Sequence, residues 1–135
     1  MLSDKLKELR WSHVADQLDY WLQEAGKQNW PYDDFLMKLC DEEISYKKER
    51  RVELATKLAK FPFIKTLESF DYSYQPSLNE VSLKELSKCR WVNQGENVIF
   101  LGPPGVGKTH LAVALGLAAI KRGYSTMFTS AQGVL

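Results

Sequence analysis

Asn97-Val98-Ile99-Phe100-Leu101-Gly102-Pro103-Pro104-Gly105-Val106-Gly107-Lys108-Thr109 decides how this chain is read. The opening run, Asn97 to Leu101, is short, apolar and rich in β-branched side chains, which fits a buried strand. Gly102 to Thr109 matches G-x-x-x-x-G-K-[ST], the phosphate-loop pattern called Walker A. The pattern carries weight only between a strand and a helix, and a helical stretch from about Lys108 to Arg122 follows it. Gly123 stands where that helix should stop.

The residue types suit the chemistry. A triphosphate needs many donors converging on a small anionic volume. Backbone N–H groups from Gly105 through Thr109 supply them, at a helix N-terminus that favours negative charge. Gly102, Gly105 and Gly107 remove Cβ atoms that would block close approach. Pro103 and Pro104 have no N–H and stiffen the loop. Lys108 is a compact charge for the β- and γ-phosphates, and Thr109 offers a hydroxyl to Mg²⁺. The candidate nucleotide-binding residues are Gly102, Gly105, Val106, Gly107, Lys108, Thr109 and His110, with packing or a surface position as the alternative for His110.

Outward from the loop, Tyr124 to Thr129 reads as a second strand and Ser130 as a helix cap. Strand, turn, helix, strand opens a parallel α/β sheet. Toward the N-terminus the chain reads as helical. Leu2, Leu6 and Leu9 share a face, and Val14, Leu18, Trp21, Leu22 and Ala25 continue the spacing, with Ser12 as a candidate cap. Gly26 and Asn29 are candidate stops. Pro31, Asp33 and Asp34 suit the start of a helix whose apolar stripe is Phe35, Leu36, Leu39, Cys40 and Ile44. Val52, Ala55, Leu58 and Ala59 resume the stripe before Pro62, so residues 31–60 form one long helix or two shorter ones. A short helix is expected from Leu78 to Trp91. The expected division is a helical domain over 1–64, a connecting segment and short helix over 65–94, and a phosphate-loop core over 95–135.

Composition is that of an average soluble chain: 135 residues, 44% hydrophobic, 26% charged, net charge +1. This excludes a collagen-like or wholly disordered chain and gives no general attraction to polyanions. Cys40 and Cys89 form no CxxC pair, and His13 and His110 make no metal cluster, so a reduced, cytoplasmic setting is expected. The longest apolar run, Leu111 to Ile120, is too short to span a bilayer. Residues 47–60 carry Lys47, Lys48, Arg50, Arg51, Lys57 and Lys60 against Glu49 and Glu53. This is a candidate DNA-facing stripe or a solvated helix face, with the preceding Asp41-Glu42-Glu43 offering i,i+4 pairs to Lys47. Trp11, Trp21 and Trp30 suit packing better than stacking on bases.

Several stretches together resemble one family. They are Leu6-Lys7-Glu8-Leu9-Arg10, Tyr32-Asp33-Asp34-Phe35-Leu36, Lys47-Lys48-Glu49-Arg50-Arg51, Lys65-Thr66-Leu67-Glu68-Ser69-Phe70-Asp71 with Gln75-Pro76-Ser77-Leu78, and Gly95 through Ala112. Over nearly its whole length the chain resembles the N-terminal half of the IstB-like transposition helper ATPases, in the AAA+ clade that also holds the DnaC-type helicase loaders. The resemblance implies an α/β fold in which an N-terminal helical domain precedes the first β-α-β unit of an AAA+ sheet, here incomplete. It implies an ATP- and Mg²⁺-binding helper that loads onto DNA and assists a transposase, forming oligomers when intact. It also suggests that Leu67 to Asp71 lies near the adenine, where Phe70 could pack; a plain anchor to the core is the equal alternative for Phe70.

The family's Walker B, sensor and arginine-finger elements have no counterpart here, since Glu96 is the last acidic residue. The expectation is therefore a truncated chain that binds ATP without hydrolysing it. The alternatives are an ATP-independent helical module for DNA or a protein partner, and a fragment of a DnaC-like loader whose partner is a replicative helicase.

Overall fold

A computed structural model describes residues 1–134. The chain divides into two compact units, Met1–Arg51 and Val52–Leu135.

In the first unit, α1 (Leu2–Glu8), α2 (Ser12–Asp16) and α3 (Leu18–Gln28) are short. The long helix α4 (Tyr32–Ala59) begins in this unit and is continuous. It settles the open choice over 31–60 in favour of one helix. Val14, Ala15, Leu18 and Leu39 are buried, whereas Leu36 and Ile44 of the expected stripe are exposed. Asn29, in the left-handed conformation, ends α3, and Gly26 lies inside that helix. Ser12 is the first residue of α2 and not its cap.

The cap of α2 comes from far along the chain. Glu43, only 3% exposed, accepts a hydrogen bond from the Val14 N–H at 3.0 Å. A helix start leaves such N–H groups without partners inside the helix, and an anion suits its positive end. Lys47 stands 3.6 Å from the same carboxylate, so the expected i,i+4 pair is present. Beside it His13 stacks on Tyr46 with ring centroids 4.3 Å apart. Trp21 and Trp30 lie 6.3 Å apart and are half-buried, in keeping with a packing role.

The second unit is organised around α7 (Lys108–Lys121), after α5 (Glu80–Leu86) and α6 (Arg90–Asn93). Leu111, Val113, Ala114, Leu115, Leu117, Ala119 and Ile120 are all buried. A helix that is apolar around most of its circumference has to be covered on several sides. Phe70, Leu83 and Leu111 form a core cluster, with Leu67, Tyr72, Leu78, Leu86 and Phe100 packed against it. Phe61 lies on Gly116, where a Cβ would come within 2.8 Å of its ring. The expected helix over 78–91 is broken at Cys89, which is left-handed, and Asn79 caps its first half by accepting from the Val81 N–H at 2.9 Å. A single 3-10 turn, Tyr72–Tyr74, interrupts the 65–76 connection. Gly123, at φ +91, follows the end of α7 as expected, and Ser130 accepts from the Gly133 N–H at the start of α8 (Ala131–Val134).

The expected α/β class is overturned. Among the described residues there is no strand, so the β-α-β unit of a phosphate-loop sheet is not formed. Residues 97–101 and 124–129 are neither helical nor paired in a ladder. The physical reason is that a strand is a pairwise object. β-Branched residues raise the propensity, but the ladder needs a neighbour's N–H and C=O groups, and a two-stranded unit is marginal in any case. The two segments instead line a recess of about 430 Å³ with α7, contributing Val98 and Phe100 from one and Tyr124 and Met127 from the other. Ile99 and Leu101 are 77% and 89% exposed. The Phe128 N–H donates to the Ala59 carbonyl at 2.7 Å, a bond to the end of α4.

Candidate functional site

The loop Gly102–Gly107 runs directly into α7, whose first residue is Lys108. Gly105 and Gly107 have φ of +83 and +91, a region that L side chains enter only at a cost. Among the described residues no side chain caps α7, and the first N–H bonded back onto Gly107 is that of Leu111, at 3.0 Å. The opening turn of the helix thus presents its N–H groups at the loop. The Lys108 ammonium folds over the loop and donates to the Gly102 carbonyl and, at 3.0 Å, to the Pro103 carbonyl. Thr109 is exposed and Val106 half-buried.

Facing the loop is a recess of about 540 Å³. Gly105, Val106, Gly107 and His110 line one part of it; Ser69, Phe70 and Asp71 line another. Phe70 is 9% exposed and belongs to both the core cluster and the recess wall. Its ring presses on the Cα of Gly107, where a Cβ would stand 2.7 Å from Cε2. Glycine at 107 therefore serves two ends: the backbone turn and the close approach of an aromatic ring.

His110 lies in this wall and not on the open surface. Its Nε2 is 2.9 Å from the Thr66 carbonyl, and its ring meets Phe70 edge-to-face at 5.1 Å. Ser69 Oγ also donates to the Thr66 carbonyl at 2.9 Å. Reading the residues one at a time singled out neither Thr66 nor Ser69; the only signal was the Lys65–Asp71 stretch that carried the family resemblance. At the far end of that stretch, the hydroxyl and N–H of Ser73 hold the Asp71 carboxyl below the usual carboxylate range. Hydrogen bonds from its own backbone and from Thr66 do the same for Glu68.

Among the described residues no group of His, Cys, Asp and Glu could hold a metal ion by itself. No helix among them is long and apolar enough to cross a membrane. The basic residues Lys47, Lys48, Arg50, Arg51, Lys57 and Lys60 are all exposed on α4 and in the residue after it, away from the loop in sequence.

A glycine-rich loop opening an uncapped helix, preceded by the Lys65–Asp71 stretch, defines a class. The chain belongs to the IstB-like ATP binding protein family, whose profile matches residues 4–135. Similar proteins include one of insertion sequence IS5376 from Geobacillus stearothermophilus, named for ATP binding, 40% identical over 126 residues, which are 93% of this chain and 47% of that protein. Another, of insertion sequence IS21 from Pseudomonas aeruginosa and named likewise, is 39% identical over 91% of this chain and 46% of its own length. A third, of insertion sequence IS232 from Bacillus thuringiensis subsp. berliner, is 34% identical over 97% of this chain and 50% of its own. The chain spans about half the length of the curated relatives it matches.

Proposed function

We propose that this chain binds ATP with Mg²⁺ at the 102–109 loop, as part of a helper protein of DNA transposition. The observation that carries the reading is the loop itself: two glycines at positive φ, an uncapped helix start and a lysine bent over the same few residues. This arrangement suits a polyphosphate because it gathers N–H dipoles and one cation around a small volume. N–H groups from Gly105 to Thr109 would hold the phosphates. Lys108 would exchange its loop carbonyls for phosphate oxygens, and the Thr109 hydroxyl would meet the magnesium that the nucleotide brings. The ion would neutralise charge on the phosphates. The recess bounded by Phe70 and His110 adjoins the loop and is the reading's place for the base.

Binding without turnover is the second part of the proposal. After Lys108 these 135 residues contain no carboxylate to orient a water or complete the magnesium shell. The chain alone would then grip a nucleotide and not cleave it. Kinship with insertion-sequence proteins supports a transposase as partner. The exposed cations of α4 support DNA as a further ligand, in which case affinity would fall steeply with salt.

Thermal unfolding with Mg-ATP tests the first part. At a hundredfold excess over the dissociation constant the bound unit gains about 2.7 kcal/mol. An unchanged melting curve at saturating Mg-ATP contradicts nucleotide binding and favours an ATP-independent helical module. Phosphate release above that of Lys108→Ala contradicts the absence of turnover.

A further inference from the structure

His110 stands one residue beyond the loop pattern, in the wall of the recess, and its contacts tie that wall to α7. The Thr66 carbonyl receives two donors from different parts of the second unit: Ser69 Oγ on its own segment and His110 Nε2 on α7, each at 2.9 Å. A carbonyl oxygen only accepts, so Nε2 carries the hydrogen. Ser69 Oγ lies 3.4 Å from the same nitrogen and completes a small polar cluster. Four residues after Thr66, Phe70 sits edge-to-face on the His110 ring and against Gly107. The 66–70 segment is thus fastened to the start of α7 at two points, one polar at His110 and one apolar at Gly107.

We infer that His110 is a positioning residue for the base of the bound nucleotide: by tying Thr66 to α7 it holds Phe70 and the recess wall in place beside the phosphate loop. The inference rests on the nucleotide reading above and refines it. The loop glycines, Lys108 and Thr109 serve the phosphates wherever the 66–70 segment lies, whereas the wall of the recess depends on that segment. The tie therefore contributes to affinity for a nucleotide that bears a base, and not to affinity for bare polyphosphate. Loss of one hydrogen bond of this kind corresponds to about a fivefold change in an equilibrium.

The test compares Mg-ATP with magnesium tripolyphosphate on the full chain, using the wild type, His110→Phe and His110→Gln. Phenylalanine keeps the ring contact with Phe70 and loses the N–H donor; glutamine keeps a donor at similar reach. The inference expects His110→Phe to bind ATP about fivefold more weakly while its tripolyphosphate affinity stays within about twofold, and His110→Gln to recover most of the loss. Equal weakening of both ligands would make His110 a general structural or phosphate residue and overturns the inference. So does an unchanged ATP affinity in His110→Phe, or a glutamine variant no better than the phenylalanine one. A wild type that does not bind ATP overturns the nucleotide reading itself, and the inference with it. A wild type that binds ATP no better than tripolyphosphate overturns the base site while leaving the loop reading intact.

Discussion

Gly107→Ala is the sharpest perturbation of the second unit. Two costs add at this position. The backbone has φ +91, which costs a residue with a Cβ about 1–2 kcal/mol. The new methyl would also stand 2.7 Å from Cε2 and 3.3 Å from Cζ of Phe70. That ring is buried against Leu83 and Leu111 and must shift toward the recess to admit the methyl, so overpacking adds about 1–3 kcal/mol. The sum, about 2–5 kcal/mol, is large against the stability of a small unit. Hydrogen exchange at the buried amides of α7, Leu111 to Ile120, reads it locally. Exchange in Gly107→Ala is expected to be at least about 30-fold faster, since each 1.4 kcal/mol is a factor of ten. Phe70→Leu removes the ring edge that the methyl meets, so the double variant should lose less than the two single variants combined, by about 1 kcal/mol. Strict additivity, or exchange in Gly107→Ala within about twofold of the wild type, would refute the placement of Phe70 on the loop.

Three further outcomes follow from other parts of the molecule. Glu43→Ala leaves the Val14 N–H buried without its acceptor and should destabilise the first unit by about 1–3 kcal/mol, read by urea unfolding followed at its tryptophans. Ser73→Ala should move the Asp71 carboxyl back toward its ordinary range in an NMR titration. Because folding lowers that pKa, its contribution to stability is present above the unfolded value and is lost as pH falls through the folded one; in Ser73→Ala this acid-dependent loss should shrink, and an unmoved titration contradicts the pairing. Cys40, half-buried, should react with a maleimide well before Cys89, which is fully buried and whose thiol is pushed up by burial.

The helical parts of the chain were legible because helix signals are local. The spacing of Leu111 to Ile120, the loop before Lys108 and Gly123 after Lys121 bound α7 within a residue or two of its observed ends. Asp33 and Asp34 after Pro31 marked the start of α4 in the same way. The strands failed for the opposite reason: Val98 to Leu101 has the right residues, but a ladder depends on a partner that no local pattern encodes. Long-range polar contacts were equally hidden. Nothing near Val14 announces that its N–H is met by Glu43, 29 residues on, and nothing near His110 announces Thr66, 44 residues back. Of the candidate site, the loop residues are readable from their spacing. The wall opposite them was approached only through the Leu67–Asp71 resemblance, which pointed to a stretch and not to a contact.

The central claim is that the 102–109 loop grips a nucleotide's phosphates. Titration calorimetry of the full chain with Mg-ATP, beside Lys108→Ala, tests it most directly. The account predicts saturable binding by the wild type and its loss in the variant, whose fold should survive because, among the described residues, the Lys108 ammonium bonds to the carbonyls of its own loop. Identical titrations for the two proteins, whether both bind or neither does, would contradict it.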